Sequence, residues 1–285
     1  MNAVALPFYK VEGTGNDFVL VQETALAGVP HSLSELAPIL CQRPYGIGSD
    51  GLLVLGRGMK APVRMRMFNP DGTEDFCGNG LRCTARLAYE LGYVETTEFA
   101  IETLGGHLVP AKLHLERDSV HRVEIQLPPP RFHPRDIPAL IEGERLEDYP
   151  VVIAEREWRI SSVNTGTTHT VLFVERLPDD TTFTTVSARL ETHPLFPERT
   201  SVLWAVVESP QCIRVRIWER GVGETLGCGS GASAVAVLAQ LAGWAGESVE
   251  VHSKGGVLQV QWSPERLIAL TGDANLRFEG TYWLD

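Results

Sequence analysis

The 285-residue chain repeats itself at an offset of roughly 150 positions, and this self-similarity constrains the fold more than any other feature. Gly15-Asn16-Asp17-Phe18-Val19-Leu20 falls on Gly166-Thr167-Thr168-His169-Thr170-Val171. Val63-Arg64-Met65-Arg66-Met67-Phe68 falls on Ile213-Arg214-Val215-Arg216-Ile217-Trp218, both alternating apolar and charged as half-buried strands do. Cys77-Gly78-Asn79-Gly80 falls on Cys228-Gly229-Ser230-Gly231, and Leu104-Gly105-Gly106-His107-Leu108 on Lys254-Gly255-Gly256-Val257-Leu258. Matches in the same order predict an α+β chain of two pseudo-symmetric lobes, each a mixed sheet wrapped around a central helix. The N-terminal lobe is expected over 1–127 and the C-terminal lobe over 128–274, with Pro128-Pro129-Pro130 as a hinge. The last residues, 275–285, are expected to return to the first lobe as a strand.

Each matched cysteine opens a helical segment. Leu81 to Leu91 contains no Pro or Gly and stops at Gly92; Ala232 to Ala242 is almost wholly apolar and stops at Gly243. A helix apolar on every side is a buried helix, so the second is expected at the centre of its lobe. Glycines beside Cys77 and Cys228 let main-chain N–H groups approach a ligand, and a helix N-terminus favours an anion and increases a thiol's thiolate fraction. Duplication then predicts an active site in the cleft between the lobes, with Cys77 and Cys228 facing each other across one substrate carbon. Such a pair suits racemisation or epimerisation, because one thiolate removes a proton and the opposite thiol returns one. N–H groups at Gly78-Asn79 and Gly229-Ser230 can stabilise the charge that builds on a neighbouring carboxylate, so no pyridoxal cofactor is required.

Composition narrows the partner. A formal net charge of −11 argues against nucleic acid and anionic membranes, both of which need a basic face. No stretch approaches the ~18 to 20 apolar residues of a membrane span, and the N-terminus lacks the pattern of a secretory leader. A cytoplasmic enzyme acting on a small molecule is the expectation. The cysteines Cys41, Cys77, Cys83, Cys212 and Cys228 are odd in number and include no Cys-x-x-Cys pair, which points to reduced thiols and no metal. Cys41, Cys83 and Cys212 read as inert packing residues. The glycine-rich loops lack the spacing of nucleotide-binding motifs.

Longer motifs carry a family resemblance. They are Gly13-Thr14-Gly15-Asn16-Asp17-Phe18, Gly46-Ile47-Gly48-Ser49-Asp50-Gly51, Phe68-Asn69-Pro70-Asp71-Gly72 through to Cys83, and Trp218-Glu219-Arg220-Gly221 through to Gly231. Over essentially its full length the chain resembles the diaminopimelate epimerases, cofactor-independent two-cysteine enzymes of lysine and peptidoglycan synthesis. The resemblance implies that Cys77 and Cys228 are the two bases, interconverting LL- and meso-diaminopimelate in a homodimer. It implies that Asn16 and Asn69 contact substrate, that Glu219 lies near the reacting amino group and Arg220 at the distal end, and that His169 and Glu219 tune the thiols. Thr167 and Ser201 stand where the family usually has distal-recognition asparagines, and Asp273 stands where it usually has proline. Two further readings stay open: a racemase of histidine, ornithine or lysine on the same scaffold, and a non-enzymatic thiol switch. His169 itself reads either as a structural histidine or as a pH-sensitive group.

Overall fold

The computed structural model describes residues 3–264 and 266–284; Met1, Asn2, Glu265 and Asp285, among them the ends of the expected N-terminal lobe and of its returning strand, lie outside the described residues. Two compact units emerge, Met1–Ile125 with Thr271–Asp285, and Gln126–Leu270.

In the first unit β1 (Val4–Gly13) and β2 (Asn16–Gln22) form a hairpin in which Gly13 lies opposite Asn16. The two turn residues both have positive φ, 55° at Thr14 and 79° at Gly15, the turn geometry that matches the twist of the flanking strands. α1 (Leu33–Cys41) starts at a capping box between Ser32 and Glu35 and buries Leu36, Ala37 and Leu40. β3 (Gly51–Gly56), buried at every position as a strand covered on both faces must be, runs parallel to β2 and antiparallel to β4 (Val63–Phe68). β5 (Glu74–Asp75) folds back on β4 and leads into α2 (Gly78–Glu90). β6 (Glu98–Glu102) then pairs in parallel with β4, followed by antiparallel β7 (Leu108–Glu116) and β8 (Ser119–Leu127). The C-terminal strand Asn275–Leu284 lies antiparallel along β1, from Val4 opposite Leu284 to Glu12 opposite Asn275. α2 packs against β1, β2, β3, β4 and β7.

The second unit is wired the same way. β9 (Tyr149–Ile153) pairs with β10 (Arg156–Asn164), which is antiparallel to β11 (Thr168–Phe173). α3 (Asp180–Glu191), capped by the Asp179 carboxylate, precedes β12 (Ser201–Ser209). β12 is parallel to β11 and antiparallel to β13 (Cys212–Glu219). β14 (Gly223–Thr225) folds back on β13 and leads into α4 (Gly229–Leu241). β15 (Ser248–Ser253) pairs in parallel with β13, and β16 (Gly256–Gln261) and β17 (Ile268–Gly272) follow. Even the registers recur: Phe18 opposite Gly51 and Val63 opposite Ile101 in the first unit, His169 opposite Ser201 and Ile213 opposite Val251 in the second.

Ala232 through Ala239 of α4 are all buried, and the helix is packed against β10, β11, β12, β13, β15 and β16. Its small side chains let strands approach from every side. Both central helices end alike. Gly92 and Gly243 take φ of 74° and 75°, and the N–H groups of Tyr93 and Trp244 close on the carbonyls of Ala88 and Ala239 at 2.8 and 2.9 Å, the left-handed cap expected at those glycines. Both begin directly after the cysteine, ahead of the apolar runs that mark them in the sequence.

Candidate active site

In the first unit Cys77 is the N-cap of α2 and half-buried, with extended backbone (φ −141°). The Gly80 N–H donates to its Sγ at 3.4 Å, an interaction that favours the thiolate. The N–H groups of Gly78 and Asn79 belong to the helix's first turn and have no partner within the helix. Gly80 is closely packed, since a Cβ there would stand 2.8 Å from Leu53 Cδ2, which would have to shift. Cys77 Sγ also donates to Asn16 Oδ1 at 3.8 Å, and the Asn79 Nδ2 donates to the same oxygen at 3.4 Å. The far ends of this amide pair are fixed by charge: Asp50 accepts from Asn16 Nδ2 at 2.7 Å, and Arg82 Nη2 donates to Asn79 Oδ1 at 2.9 Å. Those two charges leave only one orientation of each amide that satisfies the chain of bonds. Asn69 sits at the β4–β5 turn, where its Nδ2 donates to Thr73 Oγ1 at 3.1 Å.

In the second unit Cys228 is the buried N-cap of α4 (φ −139°). Burial first, and then the charge of Glu219, pushes its thiol well above the usual range; the Ser230 hydroxyl, 3.5 Å from Sγ, acts in the opposite sense. Glu219 Oε1 accepts from Thr225 Oγ1 at 2.6 Å. His169 Nε2 lies 3.0 Å from Ser230 Oγ, so imidazole, hydroxyl and thiol form one chain. Main-chain N–H groups of Gly229 and Ser230 occupy the first turn as those of Gly78 and Asn79 do, and a Cβ on Gly231 would meet Leu203 Cδ2 at 2.8 Å.

His169 is not a pH-sensitive group in the neutral range. It is fully buried, and desolvation, aided by the charge of Arg220, lowers its pKa from 6.5 to about 3. The imidazole is therefore neutral at physiological pH and acts through hydrogen bonding.

The expected distal residues also come together. Ser201 Oγ accepts the Arg220 main-chain N–H at 3.1 Å, Thr167 Oγ1 accepts from Arg220 Nη2 at 3.4 Å, and Nη1 donates to the Glu198 carbonyl at 3.1 Å. The two hydroxyls hold the arginine. Burial pushes the thiols of Cys41 and Cys83 upward, in keeping with packing roles, and Cys212 Sγ donates to the exposed Glu208 near the end of β12. Among the described residues no group of three or more His, Cys, Asp or Glu is placed to hold a metal ion.

Sequence patterns alone do not single out the clamp that aims each cysteine loop. Arg66 holds Glu74 through two bonds of 2.8 Å across β4 and β5, and Arg216 holds Glu224 at 3.0 and 2.9 Å across β13 and β14. Each short hairpin runs straight into its cysteine. A signal for the clamp exists, because both arginines and both glutamates keep the repeat's offset. Arg82 escapes notice as well: a fully buried guanidinium is invisible in a motif rich in glycine and asparagine.

In each unit strands surround a helix capped by a cysteine, and the overall fold is one that a solved epimerase and a probable racemase also adopt. The fold is shared by a hydroxyproline epimerase from Agrobacterium vitis (TM-score 0.71, 15% identity, 99% of this chain and 93% of that one) and a PhzF-family phenazine biosynthesis protein from Bacillus anthracis (TM-score 0.66, 18% identity, 98% and 99%). Sequence narrows the class: the diaminopimelate epimerase family model matches residues 8–126 and 161–277. Diaminopimelate epimerases of Caldanaerobacter subterraneus subsp. tengcongensis (43% identity, 96% of this chain and 98% of the relative) and Moorella thermoacetica (42%, 98% and 99%) align over nearly the whole length. The chain belongs to the diaminopimelate epimerase family and is an isomerase. Among the described residues no helix is long and apolar enough to cross a membrane.

Proposed function

We propose that the chain interconverts LL- and meso-diaminopimelate, with Cys77 and Cys228 acting on opposite faces of one α-carbon. The observation that carries the reading is the recurrence, in each unit, of a cysteine at the N-cap of a central helix. One thiolate takes the α-proton and becomes a thiol; the electron pair left on carbon delocalises into the carboxylate; the other thiol delivers its proton to the far face and becomes a thiolate. Atoms and charge balance, and the pair ends with its protonation exchanged. The carbanion is the costly species. Negative charge gathering on the carboxylate is met by N–H groups of Gly78, Asn79, Gly229 and Ser230, backed by the positive ends of two helices. Asn16 and Asn69 hold the substrate, Glu219 faces its amino group, and Arg220, braced by Thr167 and Ser201, binds the distal carboxylate. No cofactor takes part. The enzyme works as a cytoplasmic homodimer on this reading.

In heavy water the purified enzyme is expected to place deuterium on the α-carbon of diaminopimelate without added cofactor. Cys77→Ala and Cys228→Ala should each lower turnover at least ~10²-fold, the lower end of what a positioned acid or base contributes. Full turnover by either variant would falsify the two-thiol scheme. Faster exchange with histidine, ornithine or lysine than with diaminopimelate would transfer the chemistry to another substrate.

A further inference from the structure

We propose that Asp273 is a positioning residue for the Cys77 half of the site, acting on Asn16 through the Thr14-Gly15 turn and on Asn79 through Arg82. Thr14 is a buried β-branched residue held at φ 55°, a conformation that side chains of its type resist. Asp273 Oδ1 receives both of its donors, the main-chain N–H at 3.1 Å and the hydroxyl at 2.9 Å. Asn275 Nδ2 donates to Oδ2 at 3.1 Å, steadying the carboxylate. Immediately after the turn comes Asn16, whose Oδ1 faces Cys77.

The second arm leaves from the same residue. Arg82 Nε donates to the Asp273 carbonyl at 3.2 Å, and its Nη2 donates to both Thr14 Oγ1 and Asn79 Oδ1 at 2.9 Å. Asn79 then reaches Asn16 Oδ1 through Nδ2. The two arms thus meet beside the thiol, so a shift of Asp273 moves both amides together. Thr14 and Asp273 are far apart in the chain, and the C-terminal segment contributes to the site by this contact. The proposal rests on Cys77 being the reactive thiol of this unit, but its test does not require diaminopimelate to be the substrate.

The test compares full-length Asp273→Ala, Asp273→Asn, Thr14→Gly, and Asp273→Ala combined with Thr14→Gly. Two quantities are read: kcat and KM for diaminopimelate, and iodoacetamide alkylation rates of Cys77 and Cys228 separately, by peptide mapping. Asp273→Ala should lower kcat about 10- to 100-fold, as misplacement on the ångström scale does. It should also change the alkylation rate of Cys77 and leave that of Cys228 as it was. Asp273→Asn keeps an oxygen for Thr14 and should stay within about threefold of the parent. With Thr14→Gly the turn needs no carboxylate to hold it, so adding Asp273→Ala should cost no more than about threefold. Three results overturn the proposal: unchanged kcat or Cys77 reactivity in Asp273→Ala, equal damage from Asp273→Asn, or both thiols changing together. Should Asp273→Ala not fold, Asp273→Ser carries the same expectations. If no variant or parent turns over diaminopimelate, the substrate reading fails while the alkylation rates still decide the role of Asp273.

Discussion

His169→Phe should make the protein's stability less sensitive to acid. Phe18, the matching residue of the first unit, is a fully buried aromatic ring in the equivalent parallel pairing, so the backbone at this position accommodates a phenyl group. In the folded protein His169 resists protonation until about pH 3, whereas the unfolded chain takes up that proton near 6.5. Between those values the unfolded state binds more protons. The stability contributed by neutral His169 is therefore complete above about pH 6.5 and is lost progressively as pH falls towards 3. Each pH unit within the window is worth about 1.4 kcal/mol, which makes the loss about 2 kcal/mol at about pH 5. The variant escapes it. Phenylalanine can overpack the site by about 1–3 kcal/mol, but that cost is the same at every pH. The quantity to measure is thus the change, between about pH 7.5 and 5, in the variant-minus-parent free energy of urea unfolding. A difference that stays constant to within about 0.5 kcal/mol refutes the claim that His169 is held neutral by burial.

Ser230→Ala removes the hydroxyl that favours the Cys228 thiolate, so alkylation of Cys228 at fixed pH should slow, with Cys77 unaffected. Glu219→Gln removes the charge that disfavours that thiolate and should accelerate the same reaction; slower alkylation would contradict the assigned sign. Gly80→Ala and Gly231→Ala each drive a Cβ to 2.8 Å from a buried leucine. Overpacking of ~1–3 kcal/mol outweighs the ~1 kcal/mol gained in helix propensity, so both should melt lower than the parent, and a rise in Tm would be the wrong outcome.

Local patterns make the central helices legible in the amino-acid sequence itself. Apolar runs, glycine stops and the cysteine positions are all set within a dozen residues, and duplication wrote them twice. The wiring of strands around each helix follows the same repeat down to equivalent parallel registers. What the sequence hides depends on distant contacts. Nothing near Asp273 in the chain announces that it receives the donors of Thr14, and nothing in Leu81-Arg82-Cys83 says that the guanidinium is wholly enclosed. Burial also decides His169, whose neighbours in sequence do not reveal how little solvent reaches the ring.

Duplication preserved the thiols and replaced their surroundings, and that difference bears on the chemistry. At matched positions, Phe18, Asn69 and Asn79 of the first unit become His169, Glu219 and Ser230 of the second. Cys77 accordingly lies against Asn16, whose carbonyl accepts from it, while the Gly80 N–H donates to its sulfur. Cys228 is enclosed with a carboxylate that resists its ionisation and a hydroxyl, linked to a neutral imidazole, that assists it. On the proposed two-thiol scheme the pair must start with one thiol protonated and one not, and two identical environments would leave that choice to chance. Glu219 supplies a bias towards a protonated Cys228. Removing it should therefore do more than change one thiol's reactivity: it should alter the ratio of forward to reverse kcat at saturating substrate, while the Haldane relation holds the ratio of the two kcat/KM values, and with it the equilibrium between isomers, unchanged. Equal effects of Glu219→Gln on the two directions would mean that the asymmetry of the two units does not set the resting state of the pair.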